Sequence, residues 1–261
     1  MTERANRMRR AAILQPGYLP WLGFFEQMSK ADEFVLLDDV QYTKNDWRNR
    51  NRIKTQQGTQ WLTVPVSFRF GQRILDVPID HSSAWARKQI QALHSWYSRA
   101  PFFDRYIGEL TALLDERHAL LVDLDVALID WLREQLGLSV PMVRSSTLSI
   151  PADDRQVRLI EICKAVRCEA FYEGNAGRGY LDTEKFRQHG VEIEFQDYAH
   201  PHYHQLWLAE QGFISHLCAI DLLFNHGPDS LAILTGQRLC TLPASTRVRT
   251  ADDVNAVKSA A

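Results

Sequence analysis

Long apolar runs are missing from this 261-residue chain: none approaches the roughly eighteen residues that a membrane-spanning helix requires. Cysteine is scarce. Cys163, Cys168, Cys218 and Cys240 form no CxxC pair, which argues against a disulfide framework or a zinc site and points to a reducing, cytoplasmic location. Excess charge is lacking as well. A net charge of −2 gives no global attraction to nucleic acid or anionic lipid, so any anion site must be local. No repeat or low-complexity block interrupts the chain. The start carries Arg4, Arg7, Arg9 and Arg10, but the apolar stretch after it is only Ala11 to Leu14, too short for a signal-peptide core. Residues 1–10 read as a disordered basic lead without a function of its own, with Met8 as a candidate start.

What is present is a globular composition, 45% apolar and 24% charged, in a chain long enough to bury a sizeable core. Strand and helix signals alternate at both ends. Residues 11–15 read as a strand, 22–30 as a helix and 33–38 as a strand, followed by extended segments near Gln60–Val66 and Arg73–Ile79. The middle is helical: Trp85 to Tyr97 is amphipathic, Pro101 sits where a first-turn proline would, and Leu110 to Leu136 holds two further helical periods that stop at Gly137. Alternation then resumes with strand 140–144, helix 153–166, strand 169–172, a glycine-rich loop, helix 181–189 and strand 191–195. This pattern predicts an α/β fold with a doubly wound, mainly parallel sheet. A single domain is expected over 11–240, with a helical insertion at about 82–137 covering the cleft and a tail over 241–261.

Ligands of open α/β sheets bind where strands end and helices begin. The first such place is Gln15-Pro16-Gly17-Tyr18-Leu19-Pro20-Trp21-Leu22-Gly23, a loop held by prolines and opened by glycines before a helix N-terminus. A second apolar strand ends in Asp38-Asp39, beside Gln41 and Tyr42. Adjacent strand residues face opposite ways, so one of the two carboxylates would take a general-base or metal role while the other caps or pairs with an arginine. Trp47, Asn49, Arg50, Asn51 and Arg52 form the best anion clamp, because guanidinium groups hold phosphate in bidentate fashion. A turn at the Asn residues would let one arginine pair with Asp38, Asp39 or Asp221 while the other meets ligand phosphate. The loop Gly174-Asn175-Ala176-Gly177-Arg178-Gly179 suits backbone approach to a phosphate or diphosphate, and equally a tight turn.

His200, His202 and His204 would share a face of an extended segment with Tyr203 and Gln205 between and after them, but Pro201 interrupts it and no carboxylate completes a metal set. A general-base role for His202 or His204 fits better than metal binding. Ser215 to Gly227 reads as a helix with Leu217, Ile220, Leu223 and Phe224 as its apolar stripe, and Asp221 and Asn225 as the polar exceptions. A buried Asp221 needs a partner, for which an arginine of the first cluster is the candidate. Cys218 reads as a packing residue.

The stretches Gln15-Pro16 through Pro65, Trp85 through Phe103, Tyr172 through Leu181, and Pro201-His202-Tyr203-His204-Gln205 through Asn225-His226-Gly227 together resemble the WbqC-like family, found among bacterial surface-polysaccharide (O-antigen) biosynthesis proteins. That resemblance covers most of the chain. It implies modification of a sugar in polysaccharide assembly, by transfer of an acyl or aminoacyl group from a carrier-protein or coenzyme A thioester to an amino sugar. No tightly bound cofactor is implied; a phosphopantetheine thioester would be the co-substrate, and an acyl or peptidyl carrier protein a partner. The first loop also resembles, in position, that of HIGH-type nucleotidylyltransferases, although the paired histidines are missing and the proline-to-glycine spacing is short by one. Nucleotidyl transfer and a non-catalytic scaffold or binding module are therefore the alternatives.

Overall fold

The computed structural model describes residues 7–151 and 154–253. Its elements, in chain order, begin with β1 (Arg10–Leu14), α1 (Leu22–Lys30), β2 (Glu33–Leu36), β3 (Arg50–Thr55), β4 (Gly58–Thr63), α2 (Trp85–Tyr97), α3 (Phe103–Asp115) and α4 (Leu121–Gln135). There follow β5 (Met142–Arg144), α5 (Ser145–Leu148), α6 (Arg155–Ala165), β6 (Ala170–Glu173), α7 (Thr183–Gln188), β7 (Glu192–Phe195), α8 (Leu208–Gln211), β8 (Phe213–Ser215), α9 (Ile220–His226), α10 (Ser230–Leu234) and β9 (Val248–Thr250). They divide into two compact units, Met1–Gln15, Glu26–Val40 and Ser139–Ala199 forming one, Pro16–Phe25, Gln41–Leu138 and His200–Ala261 the other. Among the described residues no helix is long and apolar enough to cross a membrane.

The first unit is built on a five-stranded sheet in the order β5-β2-β1-β6-β7, parallel throughout. From the central β1 the chain moves outward to β2 and β5, then returns to the other side for β6 and β7. Right-handed crossovers place connections that leave in opposite directions on opposite faces, so the sheet is doubly wound. Its core joins Ala11, Ile13, Val35 and Phe171 of the strands to Ile160, Cys163 and Phe186 of α6 and α7. A strand covered on both faces must be apolar throughout, which explains the unbroken Ala11-Ala12-Ile13. Both helices begin at an Asp N-cap: Asp154 accepts from the amides of Gln156 and Val157, and Asp182 from those of Glu184 and Lys185. Asp153, expected to open α6, lies outside the described residues, as do residues 1–6 of the basic lead; Arg7 ion-pairs with Asp32 and Arg10 opens β1.

The second unit holds the β3–β4 hairpin, helices α2 to α4, and the short parallel pair β8–β9. Phe224 is its aromatic hub, with the rings of Tyr97 and Phe103 centred 5.4 and 5.2 Å away. Gly137, at φ +75°, ends the helical run after α4, as its place in the sequence suggested.

Several local expectations change. Two strand pairs lie outside the parallel sheet, β3 with β4 and β8 with β9, and β3, β8 and β9 were not among the strands expected from sequence. The helix expected from Ser215 starts only at Ile220: Ser215 ends β8 and His216 turns the chain at φ +60°. Residues 175–179 form a 3₁₀ turn, the tight-turn alternative for the glycine-rich stretch, and 74–76 form another where extended chain was expected.

Candidate functional site

Parallel strands bring their C-terminal ends to one edge. The pairings Leu14 with Leu36 and Leu36 with Arg144, and by extension of Ala11 with Phe171, set Gln15, Asp38, Arg144 and Gly174 along that edge. The strand order reverses between β1 and β6, and the crevice beyond such a switch point is where open α/β sheets bind ligands. Half-buried Gln15 leaves β1 there, and Glu173-Gly174 leaves β6.

Around β6 the polar groups are arranged in sequence. Gln196 donates to Glu26 at 2.5 Å and accepts from Gln27 Nε2 at 2.9 Å. Buried Gln27 keeps an Oε1 without a hydrogen-bond partner among the described residues. A Cβ on Gly174 would stand 3.0 Å from the Gln27 amide, so only bare backbone fits closely at this point. Burial pushes the Glu173 carboxyl up to about 7, against the opposing hydrogen bonds from Tyr180 and the Gly174 amide. The Tyr180 hydroxyl donates to it at 3.0 Å. Glu173 is thus a carboxyl able to exchange protons near neutral pH. Gly177 supports it from below: a Cβ there would lie 2.5 Å from Glu173 Cγ. Arg178 is steered by Asn175 Oδ1 (2.9 Å) and lies over the Phe195 ring (4.5 Å).

At β2 and β5 the carboxylates are engaged. β2 stops at Leu36, so strand alternation does not separate Asp38 from Asp39, and both accept from Ser145 Oγ, at 3.1 and 2.5 Å. Asp38, fully buried, also accepts from Arg144 Nε (2.5 Å), Ser146 Oγ (2.8 Å) and the Ser146 amide (3.0 Å). Burial alone would raise its pKa; the Arg144 and Ser146 hydrogen bonds outweigh burial and hold it below the usual carboxylate range. Asp39 pairs with Arg158 of α6.

The remaining predicted residues belong to the second unit. Because β3 is a regular strand, the turn expected at Arg50–Arg52 is absent, and both guanidinium groups lie over the Trp61 ring, at 4.3 and 4.8 Å. Arg52 is buried against the Ala251 carbonyl (2.5 Å) and Asp252 (2.6 Å), and Arg50 donates to the Asn45 carbonyl. The arginine partners are therefore not those expected. Asn51 holds the first loop through the carbonyls of Leu19 (2.7 Å) and Tyr18 (3.3 Å), where Leu19 sits at φ +44°. Asn49 donates to the Val64 carbonyl at 2.8 Å, Gln41 bridges to Arg73, and exposed Trp47 accepts from the Tyr18 amide at 3.0 Å. Gly17 admits that approach, since a Cβ would meet the Trp47 carbonyl at 3.0 Å.

Asp221 is paired with hydroxyls and an amide instead of arginine: Tyr97 (2.6 Å), Tyr203 (2.9 Å) and Gln205 (2.8 Å) all donate to it. Burial raises its pKa against these bonds, and burial lowers that of Lys54, which bonds Gln205 at 3.0 Å, to about 8. Asn225 donates to the Asp221 carbonyl at 2.7 Å. His202 and His204 are exposed while Tyr203 and Gln205 between and after them are buried. His200 is turned inward, and burial, reinforced by His216, lowers its pKa to about 3 and keeps it neutral.

Glu173, Gln27, Arg144 and Arg158 were not singled out from sequence. The signal for Glu173 was its place just before the glycine-rich turn, at the end of an apolar strand. The chain is 37% identical over 227 residues to the uncharacterized protein Rv1507c of Mycobacterium tuberculosis, an alignment covering 85% of this chain and 96% of that protein. No solved structure matches it. A model of the WbqC-like protein family matches residues 15–233, and the chain belongs to that family.

Proposed function

We propose that the sheet unit is the catalytic centre of a transferase of surface-polysaccharide biosynthesis, which moves an acyl or aminoacyl group from a carrier-protein or coenzyme A thioester to an amine of a nucleotide-linked sugar. The observation that carries this reading is Glu173, a carboxyl raised to about 7 at the end of β6, beside the bare backbone of Gly174 at the switch point. An amine attacking a thioester carbon needs a base to take its proton and donors to hold the oxyanion, and the thiolate then leaves. Glu173 takes the proton. Amides opening the turn after Gly174 face the oxyanion, and Arg144 and Arg158 supply positive charge for a phosphate of donor or acceptor. Asp38 and Asp39 position those arginines, having too many donors already to act as bases.

Incubation with a charged carrier protein and an amino-sugar nucleotide should yield an amide product by mass spectrometry. The rate should rise with pH through about 7 as Glu173 loses its proton, and Glu173→Gln should lower kcat by about a hundredfold or more. An unchanged rate in that variant would remove the role. Nucleotidyl transfer is the second reading, favoured by a strand order shared with dinucleotide-binding sheets. Pyrophosphate released only when ATP or CTP is supplied would put it first, and turnover of neither substrate pair would leave a binding module.

A further inference from the structure

Arg50 and Arg52 share one face of β3, because strand residues two apart point the same way, and Trp61 of β4 stands opposite Arg52. Both guanidinium groups lie over the Trp61 ring, at 4.3 and 4.8 Å, and Arg52 is also 5.1 Å from the ring of exposed Trp47. Two cations thus share one indole. Among the described residues they make one ion pair between them: Arg52 gives Nη1 to the Ala251 carbonyl (2.5 Å) and Nη2 to the Asp252 carboxylate (2.6 Å), while Arg50 donates to the neutral Asn45 carbonyl. The Nε of each arginine is buried without a hydrogen-bond partner among the described residues. Positive charge and donors are in surplus at a place with little water, which calls for an anion.

The one carboxylate comes from a lightly seated segment. In residues 248–253, which are β9 and its continuation, only Ala251 is buried, against Ile214 and Leu217. Asp252 keeps 80% of its side chain exposed, whereas its partner Arg52 keeps 1%. Departure therefore costs Asp252 little, since it regains its hydration, but it strands Arg52 unless another anion arrives. The segment also lies beyond residues 15–233, the stretch shared with the WbqC-like family, while both arginines lie within it.

We propose that Arg50 and Arg52 form a binding site for a phosphate group, and that residues 248–253 are a strap whose Ala251 carbonyl and Asp252 carboxylate occupy that site until the ligand displaces them. The two oxygens on the Arg52 fork stand where two oxygens of a phosphate would stand. A phosphate brings a third oxygen for the Nε groups and a charge of about −1.5 to −2, enough to answer both arginines where Asp252 answers one. The strap thus competes with the ligand, and the site is closed at rest. All these residues belong to the second unit, and the inference concerns binding alone, without resting on the transfer reaction.

The test uses the full chain with inorganic phosphate, with uridine monophosphate, whose base can stack on exposed Trp47, and with chloride at matched ionic strength. Hydrogen exchange read by mass spectrometry follows the strap. Saturating phosphate or nucleotide should speed exchange of the amides of residues 248–253 about fivefold or more, and chloride should not. Asp252→Asn, which removes the competing charge, should loosen the strap without ligand and tighten phosphate binding about threefold or more in calorimetric titration. Arg52→Gln should abolish binding; if that variant fails to fold, Arg50→Gln should weaken it about tenfold. Tighter binding of the nucleotide assigns the phosphate to a nucleotide, equal binding assigns it to the free ion, and either supports the site. Phosphate that binds without loosening the strap, no phosphate binding at all, or an Asp252→Asn chain of unchanged or weaker affinity overturns the proposal and makes residues 248–253 a fixed part of the core.

Discussion

Asp38, its own side chain fully buried, accepts from a guanidinium, two hydroxyls and a backbone amide. Removing one partner of such a cluster strands the others, which costs more than the cluster itself contributes. Asp38→Ala should lose about 3 kcal/mol of stability, seen as a fall in Tm of roughly 6–12 °C by calorimetry. Its folded pKa lies below the unfolded one, so this stability is present above the unfolded value of about 3.9 and is lost as pH falls through the folded value. A variant as stable as the wild type at pH 7 would show that Arg144 and the serines find other partners. Asp38 and Asp39 were legible as a special pair at a strand end. Their partners were not, because Arg144, Ser145 and Arg158 lie more than a hundred residues away and are brought in only by the pairing of β2 with β5 and the packing of α6 on the sheet.

Among elements, the apolar strands β1, β2 and β6, the alternating edge strand β7 (Glu-Ile-Glu-Phe) and the helices α2 to α4 could be read from their patterns, since burial on two faces, one face or one stripe dictates composition. β3 could not. Its sequence Arg-Asn-Arg-Ile-Lys-Thr is polar, yet five of its six residues are buried, because Asn51, Arg52 and Lys54 are satisfied by side chains and carbonyls distant in sequence. Buried Asp125 of α4 was hidden in the same way, being one acidic residue among several on an amphipathic helix. The 3₁₀ turn at 175–179 shows what its glycines do: Gly177 leaves room for the Glu173 side chain. Gly177→Ala would force Glu173 aside at a cost of about 1–3 kcal/mol. If Glu173 acts as base, the variant should also move the pH limb of transfer away from about 7, because the environment that sets that value is disturbed. Retention of both stability and the pH limb would mean that the turn yields without disturbing the carboxyl.

For the whole molecule, the division of the chain has a consequence for folding. Each unit is assembled from three separate stretches, so neither is a contiguous piece of sequence. In the first unit, residues 139–199 supply β5, β6 and β7, whereas β1 and β2 come from the first forty residues. In the order β5-β2-β1-β6-β7 the two missing strands are those that join β5 to β6, so without them β5 has no neighbour and β6 keeps only β7. The core loses Ala11, Ile13 and Val35, against which α6 and α7 pack. A two-stranded parallel remnant with one open face cannot bury enough apolar surface to offset the entropy of ordering its chain. A fragment of residues 139–199 should therefore be unfolded, with a coil-like circular dichroism spectrum and collapsed amide dispersion by NMR. Adding a second fragment that carries residues 7–40 should restore dispersion only if β1 and β2 insert between β5 and β6. A folded spectrum for 139–199 alone would show that the central strands are not needed to hold β6, β7 and their helices together, and would count against the sheet order described.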